Sequence, residues 1–226
     1  MEIAILQHVD FEGPAEIENW CRQTGNEYKV YRLFLGEALP KAERTDFLVI
    51  LGGPMSVLDE LPWLEEERQL IRVLISQGKP VFGVCLGGQQ IAKTLGADIF
   101  QGEYREAGWL PIWTMKSETL GELPEELVVF HWHGEQFGLP EGAERLFTSE
   151  VCPNQGFIYK ENVIGLQFHF ESTKESIESI LQNDAAFLDG TACTQTAAEI
   201  RNYPIPASNR KLLYRLLDRL KATVPD

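Results

Sequence analysis

Short apolar runs alternate with amphipathic segments through the first hundred residues of the chain. Continuous apolar runs are typical of strands buried on both faces. Such strands are predicted at Glu2–Gln7, Tyr28–Phe34, Phe47–Leu51 and Pro80–Val84. Apolar residues at helical spacing predict helices at Pro14–Gln23, Pro62–Gln77 and Leu86–Leu95. This alternation predicts an α/β fold whose open, mostly parallel sheet carries helices on both faces.

The second half of the chain has a different rhythm, with few helices between its strands. Short strands are predicted at Leu110–Met115, Leu127–Phe130, Arg145–Thr148, Phe157–Tyr159 and Val163–Phe168. The segment 156–168 resembles a hairpin that turns near Glu161 and Asn162. We therefore expect additional antiparallel strands beside the parallel sheet.

From Lys174 onward the pattern is helical again, and it ends in a helix at Asn209–Lys221. That helix carries an apolar stripe, formed by Leu212, Leu213, Leu216, Leu217 and Leu220. Such a stripe is typical either of core packing or of a dimer seam. A homodimer through this helix is therefore one prediction. We expect one domain over residues 1–226, with a helical extension from about residue 183.

Charge and composition narrow the class of protein. The chain of 226 residues is 44% hydrophobic and has a formal net charge of −14. That negative charge disfavours non-specific binding to nucleic acid or to anionic membranes. The start resembles a strand, and no apolar stretch approaches the ~18 residues of a membrane span. With four widely spaced cysteines and no zinc-binding pattern, we expect a cytoplasmic protein with reduced thiols and no metal.

The most informative segment is a Gly-x-Cys-x-Gly turn that joins an apolar strand to a helix. Gly83 and Gly87 flank Cys85 at two residues on either side. The pattern follows the logic of a nucleophile elbow, in which the central residue has strained dihedral angles and its neighbours must be small. The following helix would stabilise a thiolate, and the N–H of Leu86 would point towards a developing oxyanion. On local sequence alone, a buried structural cysteine is an equal alternative.

A thiol nucleophile needs a base, and His169 ends an apolar strand two residues before Glu171. Side chains at i and i+2 of an extended chain point to the same side, with Cα atoms about 6.5–7 Å apart. Glu171 could therefore hold the imidazole in one tautomer, as the third member of a nucleophile–base–orienter unit. Without the elbow, His169 would simply be a strand-end histidine capped by an acid.

Three landmarks together resemble the class I, triad-type glutamine amidotransferases, most closely the glutaminase domain of GMP synthase and its stand-alone relatives. They are Gly52-Gly53-Pro54 after a buried strand, the segment Gly83–Gln89, and Gln167–Glu171. The resemblance covers roughly residues 3–179 and implies a flavodoxin-like open sheet. It implies a triad of Cys85, His169 and Glu171. It also implies oxyanion donors at Gly53 and Leu86, with Gln89 as a substrate contact.

Two further segments resemble parts of the same family. The stretch His131–Glu135 is similar to a loop that touches the substrate amino acid, so His133, Gly134 and Glu135 are predicted substrate contacts. A stretch before the last hairpin places Asn154 and Gln155 either in the cleft or in a plain turn. The chain departs from the family at Phe170, where proline is usual, and so lacks a fixed φ between the histidine and the glutamate.

The resemblance implies hydrolysis of the L-glutamine side-chain amide through a γ-glutamyl thioester on Cys85, without a cofactor. In the family the ammonia passes to a synthetase domain or subunit, and this chain has no P-loop pattern of its own. A separate synthetase partner is therefore one expectation. The alternatives are a stand-alone γ-glutamyl hydrolase or peptidase with the same triad, and a regulatory or ligand-sensing subunit.

Overall fold

A single mixed sheet organises the molecule. The computed structural model describes residues 1–225, so residue 226 of the predicted domain lies outside the described part. The strands follow the order β2-β1-β3-β4-β9-β8-β7-β5-β6. The parallel part contains β1 (Glu2–Gln7), β2 (Glu27–Arg32), β3 (Phe47–Ile50), β4 (Val81–Val84) and β9 (Val163–Leu166). The antiparallel part contains β5 (Ile99–Thr114), β6 (Glu126–Phe137), β7 (Ala143–Thr148) and β8 (Gly156–Tyr159).

Helices cover both faces of the parallel strands. The helices are α1 (Ala15–Gln23), α2 (Pro62–Ser76), α3 (Leu86–Thr94), α4 (Lys174–Asn183), α5 (Ala197–Asn202) and α6 (Ala207–Lys221). Along β1, Ile3 and Ile5 pack in the core shared with α1 and α6, whereas Ala4 and Leu6 pack in the core shared with α2 and α3. Both faces are thus buried, which explains the unbroken apolar runs. The predicted α/β fold, an open parallel sheet with added antiparallel strands, is confirmed.

The long β5–β6 pair was only partly predicted. The strand expected at Leu110–Met115 begins at Ile99, and its pairing with β6 is irregular between Gln101 and Glu106. A β-bulge interrupts side-chain alternation, so the period-2 signal is lost in that stretch. Similarly, 131–135 is not a loop but the middle of β6. Its polar side chains on a buried strand gave the segment the composition of a loop.

Smaller corrections concern strand ends. The strand predicted to reach Phe34 ends at Arg32, because residues 33–35 form a 3₁₀ turn. The last hairpin forms as predicted, with Tyr159 opposite Val163, but its second strand ends at Leu166 rather than at Phe168. Beyond Leu166 the chain leaves β8 and makes a single bridge to Phe130 of β6 at His169.

The leucine stripe of α6 belongs to this chain's own core. All five of its leucines are buried against the β1–β3–β4 face. The stripe therefore leaves no exposed apolar seam on α6, and the predicted homodimer loses the feature that suggested it. Within residues 1–225 no helix has both the length and the hydropathy that a membrane-spanning helix requires. The cytoplasmic location stays a prediction.

Leu213→Ala should destabilise the protein strongly, because the side chain is 0% exposed in the core beneath α6. Loss of a fully buried leucine costs about 2–5 kcal/mol of unfolding free energy. Leu35→Ala is the matched control, since Leu35 is 66% exposed and should change stability by less than about 0.5 kcal/mol. Urea denaturation of both variants measures the difference. Equal effects would contradict the placement of α6 in the core.

Candidate active site

The carboxyl ends of the parallel strands meet at one edge of the sheet. His8 follows β1, Gly52–Gly53 follows β3, Cys85 follows β4, and His169 comes shortly after β9. Because β1, β3, β4 and β9 are adjacent and parallel, these four points of the chain lie side by side. Open α/β sheets commonly bind ligands at this edge.

Cys85 occupies a strained turn between β4 and α3. Its backbone has φ 51° and ψ −110°, a conformation rare for a residue with a side chain. The turn is fixed from both sides, because the Cys85 N–H donates to the Leu166 carbonyl (2.8 Å) and the Cys85 carbonyl accepts from the Gln89 N–H (3.0 Å). The thiol is 7% exposed, and its Sγ lies 3.7 Å from the Trp132 carbonyl oxygen. The predicted elbow is therefore present as a backbone feature.

The glycines around Cys85 are sterically required. A Cβ on Gly83 would lie 2.5 Å from the backbone of Gly87 and 2.6 Å from the Ile91 side chain. A Cβ on Gly87 would collide with the backbone of Ile50, and one on Gly88 with the Leu166 carbonyl. α3 thus approaches β4, β3 and β9 closely, and each of these three approaches depends on a missing side chain.

His169 and Glu171 form a buried pair beside the elbow. His169 Nδ1 lies 2.7 Å from Glu171 Oε1, and Nε2 is buried without a hydrogen-bond partner. Burial disfavours the charged imidazole, but the Glu171 carboxylate and the Cys85 thiol outweigh that effect and hold the pKa of His169 well above its usual range. One imidazole nitrogen is thus held by Glu171, and the other is available for chemistry.

Aromatic packing takes over the role that a proline would have between this pair. The Phe170 side chain is buried, with its ring edge-on to Phe168 at 4.6 Å and to Phe147 at 6.0 Å between centroids. The His169 N–H also donates to the Phe130 carbonyl at 2.8 Å. Packing and this hydrogen bond thus restrain the segment, although φ is not fixed covalently.

A cleft of about 290 Å³ opens above Cys85. Its lining includes most of the predicted site residues, namely Gly53, Cys85, Gln89, His133, Gly134 and Glu135. Leu86 is fully buried below, where its N–H belongs to the first turn of α3 and has no acceptor within the helix. His169 and Glu171 line a smaller adjoining cavity. The structure therefore brings the predicted residues into one region that contains two cavities.

Hydrogen bonds order one wall of the cleft. Gln89 Nε2 donates to the Glu135 carbonyl and to Gln167 Oε1, both at 3.3 Å. Ser56 Oγ donates to Glu135 Oε1 at 2.8 Å. The Gly134 carbonyl accepts from Gln101 Nε2 at 2.8 Å. The side chain of Glu135 is thus positioned by the turn after β3, and acceptors on this wall can receive an ammonium group.

Glu12 lines both cavities but was not predicted as a site residue. Burial raises the pKa of its carboxyl to about 7; the charge of His169 opposes this rise, and that of Glu171 adds to it. The carboxyl packs against Gly52, where any Cβ would collide with it. Glu12 lies in the loop between β1 and α1, outside any motif, so only the fold reveals it.

The cleft lining also carries charged residues that the sequence did not single out. Arg105 lines the cleft, with its guanidinium 4.8 Å from the Phe187 ring centroid and a 3.3 Å hydrogen bond to the Phe187 carbonyl. Asp184 accepts from Trp132 Nε1 at 2.9 Å. Arg105 lies in the bulged part of β5, where sequence periodicity fails. The cleft therefore offers both a cation and carboxylates to a ligand.

Asn154 and Gln155 do not line the cleft. Asn154 Oδ1 accepts from Arg145 Nε at 2.8 Å, and its amide donates to the Phe137 carbonyl. Gln155 Nε2 donates to Glu106 Oε2 at 2.6 Å. Both side chains are buried within the antiparallel part, where they support neighbouring strands. Of the two alternatives that the sequence left open, the structure therefore agrees with the turn, because both residues lie in the irregular segment just before β8.

Glu106, His131 and His133 form a buried cluster behind the cleft, and their potential ligand atoms lie within 4.8 Å of one another. Both Glu106 oxygens already accept hydrogen bonds, one from Ser149 and one from Gln155. Despite burial, hydrogen bonding from His133 and the charges of the two histidines hold the pKa of Glu106 at about 2, whereas burial lowers that of His131 to about 3. Glu106 on β5 thus links the histidines of β6 to the segment between β7 and β8, while His131 Nε2 is buried without a hydrogen-bond partner.

The remaining cysteines lack a comparable setting. Burial raises the pKa of Cys21 to about 12, and it raises that of Cys152 further. Cys193 is partly exposed, and its pKa is raised as well, by burial and by Glu106 and Glu150. These thiols stay protonated at neutral pH. All four cysteines are free.

The chain is similar in sequence and in fold to known proteins. Residues 14–186 match the family model described as "Glutamine amidotransferase class-I". The glutamine amidotransferase-like protein YfeJ of Salmonella typhimurium is 33% identical, with 97% of each chain covered. The GMP synthase of Bacillus cytotoxicus is 35% identical over 134 residues, which are 58% of this chain and 25% of that enzyme. A crystal structure of a glutamine amidotransferase from Methylobacillus flagellatus superposes with a TM-score of 0.93, at 28% identity, covering 99% of this chain and 95% of that one.

Glu12→Gln should stabilise the protein increasingly as pH rises. The Glu12 pKa is about 7 in the folded protein and 4.5 in a model compound. Between about pH 5 and pH 8 the unfolded chain releases this proton before the folded protein does, so the wild type loses stability over that interval. The variant cannot titrate there, and its advantage should grow by on the order of 1–3 kcal/mol.

Urea unfolding at about pH 5 and about pH 8 measures the stability difference between Glu12→Gln and the wild type. Glu60→Gln is the control at an exposed position. A constant difference between Glu12→Gln and the wild type across the interval would contradict the raised pKa.

Proposed function

The chain belongs to the class I glutamine amidotransferase family, and on that premise we propose that it hydrolyses the side-chain amide of L-glutamine to glutamate and ammonia. The observation that carries this proposal is the strained Cys85 turn beside the buried His169–Glu171 pair. In this proposal Cys85 is the nucleophile, His169 the general acid and base, and Glu171 the residue that orients His169.

The first half of the reaction forms a thioester. The Cys85 thiolate attacks the Cδ carbonyl carbon of glutamine, and the carbonyl oxygen becomes an oxyanion. His169 enters as the imidazolium, which agrees with its raised pKa, and gives its Nε2 proton to the departing nitrogen. The C–N bond breaks, ammonia leaves, and a γ-glutamyl thioester and neutral His169 remain.

The oxyanion needs donors that are in place before the reaction. We assign this role to the backbone N–H groups of Gly53 and Leu86. Gly53 lines the cleft together with Cys85, and Leu86 begins α3, whose N-terminal end carries partial positive charge. Each such donor contributes about 3 kcal/mol to lowering the barrier.

The second half hydrolyses the thioester. Neutral His169 takes a proton from water as the water oxygen attacks the thioester carbonyl. Collapse of the new tetrahedral intermediate releases glutamate and restores the Cys85 thiolate and the imidazolium. Glu171 retains its hydrogen bond to Nδ1 throughout and favours the charged imidazole. The proposed steps use side chains, backbone N–H groups and water, with no cofactor.

The cleft wall supports an amino-acid substrate. We assign Gln89, His133, Gly134 and Glu135 to the α-amino and α-carboxylate end of glutamine, because all four line the cleft with Cys85. The matched GMP synthase carries additional sequence, since the shared segment is a quarter of its length. We propose that a separate synthetase partner receives the ammonia released here.

Cys85→Ala should abolish glutamate release from L-glutamine, because no other described thiol lies in the cleft. Removing the nucleophile of such a triad costs about 10⁴-fold or more in kcat. Cys193→Ala is the matched control, since Cys193 is a partly exposed free thiol outside the cleft, and it should retain full turnover. A coupled glutamate assay on the wild type and both variants measures this outcome.

A substrate panel tests the choice of glutamine. Glutamine turnover that survives in Cys85→Ala would contradict the proposed mechanism. If the wild type ignores glutamine but hydrolyses a larger γ-glutamyl compound through Cys85, the triad would be correct and the proposed substrate wrong.

A further inference from the structure

A buried histidine holds the turn that follows β3. His8 Nδ1 lies 3.0 Å from the Gly52 carbonyl oxygen, and Nε2 lies 2.9 Å from Glu67 Oε2. The side chains of His8 and Glu67 are both 0% exposed. Neither residue lines the cleft above Cys85, so the proposed chemistry has not used them.

The protonation of His8 follows from its partners. A carbonyl oxygen can only accept, so Nδ1 must carry a proton. Burial lowers the pKa of His8, but the charge and hydrogen bond of Glu67 raise it above its usual value overall. His8 is thus a permanent donor to Gly52, whether the proton between Nε2 and Glu67 lies nearer the histidine or the glutamate.

This hydrogen bond fixes the direction of the neighbouring N–H. The Gly52–Gly53 peptide is trans, as are all peptide bonds within residues 1–225. In a trans peptide the C=O and N–H groups lie in one plane and point in opposite directions. With the Gly52 carbonyl directed at His8, the Gly53 N–H must point away from His8.

The turn needs such a restraint because both of its residues are glycine. Glycine populates positive and negative φ with similar ease, so a peptide between two glycines can rotate at little steric cost. Rotation would exchange the positions of the carbonyl and the N–H, and would present an oxygen where a donor is required. Gly53 is also tightly packed, since a Cβ at this position would lie 3.0 Å from Met55 Sδ and 3.2 Å from His8 Cβ.

Further contacts hold the histidine itself. Gln90 Nε2 donates to Glu67 Oε1 at 3.0 Å, and Gln90 Oε1 accepts from Arg68 at 2.8 Å. The Trp63 ring stacks on the imidazole at 5.3 Å between centroids. The chain Arg68–Gln90–Glu67–His8 therefore connects α2 and α3 to the turn. Such a set of buried polar contacts rigidifies its members when all are satisfied.

We propose that His8, held by Glu67, is a positioning residue that sets the Gly52–Gly53 peptide so that the Gly53 N–H receives the oxyanion. The inference rests on the oxyanion role proposed for Gly53. His8 does not touch substrate in this scheme. It acts through one peptide plane and affects only reactions in which a carbonyl oxygen becomes negative.

Two reagents that react with Cys85 distinguish a positioning role of His8 from a general loss of stability in the variants. Acylation by p-nitrophenyl acetate develops an oxyanion, whereas alkylation by iodoacetamide displaces iodide and develops none. His8→Gln removes the donor to Gly52, since its amide reaches the Nε2 position instead. His8→Asn is the matched variant, because its amide nitrogen falls near Nδ1 and can still donate to the Gly52 carbonyl.

We expect His8→Gln to slow acylation of Cys85 by about 10²–10³-fold and to leave alkylation unchanged. His8→Asn should recover most of the acylation rate. With glutamine as substrate, the same order should hold in kcat with little change in KM. Circular dichroism and thermal unfolding confirm that each variant is folded.

The inference is overturned if His8→Gln acylates like the wild type, or if acylation and alkylation fall together in both variants. Its failure differs from a failure of the proposed function. If the wild type does not hydrolyse glutamine but acylation alone still depends on the His8 donor, the function is wrong and the positioning role stands. If Cys85-dependent glutamine turnover is present and insensitive to His8→Gln, the positioning role is wrong.

Discussion

The backbone at Cys85 is the constraint on which the other features depend. A side-chain-bearing residue at φ 51° is held there only when its surroundings determine the conformation. Here β4 lies between β3 and β9 in the parallel sheet, and α3 contacts both neighbours through Gly87 and Gly88. The strain is thus balanced by the burial of the central strands. The position of the Cys85 thiol at the edge of the sheet therefore depends on the packing of the core beneath it.

Buried pairs of histidine and glutamate side chains lie around this edge in a chain that is acidic overall. All four histidines are buried, as are three glutamates, of which Glu106 lies within 4.0 Å of both His131 and His133. The pairs are His169–Glu171, His8–Glu67 and His133–Glu106. A buried charge without a partner costs several kcal/mol, so each pair must be retained as a unit. Each also supports a different side of the cleft, respectively the base, the turn after β3 and strand β6.

The sequence predicts the parts of the site that local rules govern. Gly83, Cys85 and Gly87 follow from the sterics of one sharp turn, and the contact of His169 with Glu171 follows from the period of an extended chain. Both are short-range relations, so one sequence is enough to find them. The fold class was equally accessible, because strands buried on both faces leave unbroken apolar runs.

What the sequence could not supply depends on long-range pairing. Glu12 and Arg105 enter the cleft through an irregular loop and a β-bulge, neither of which has a periodic signal. The middle of β6 resembled a loop because its polar side chains satisfy partners from distant strands. For Asn154 the sequence left the cleft and a plain turn open, and its buried contacts with Arg145 and Phe137 could not be foreseen from composition. Buried polar contacts between segments far apart in sequence leave no periodic signal.

The two proposed oxyanion donors, Leu86 and Gly53, are held in position in different ways. At Leu86 the N–H is fixed by the start of a helix, and no further contact is needed to aim it. At Gly53 the absence of side chains lets the turn approach Leu86 and Met55 closely, but the same absence leaves the peptide free to rotate. The rotation of the Gly52–Gly53 peptide must then be restrained by a specific hydrogen bond. His8 is placed to provide it from the buried side, which leaves the cleft side of the peptide open for substrate.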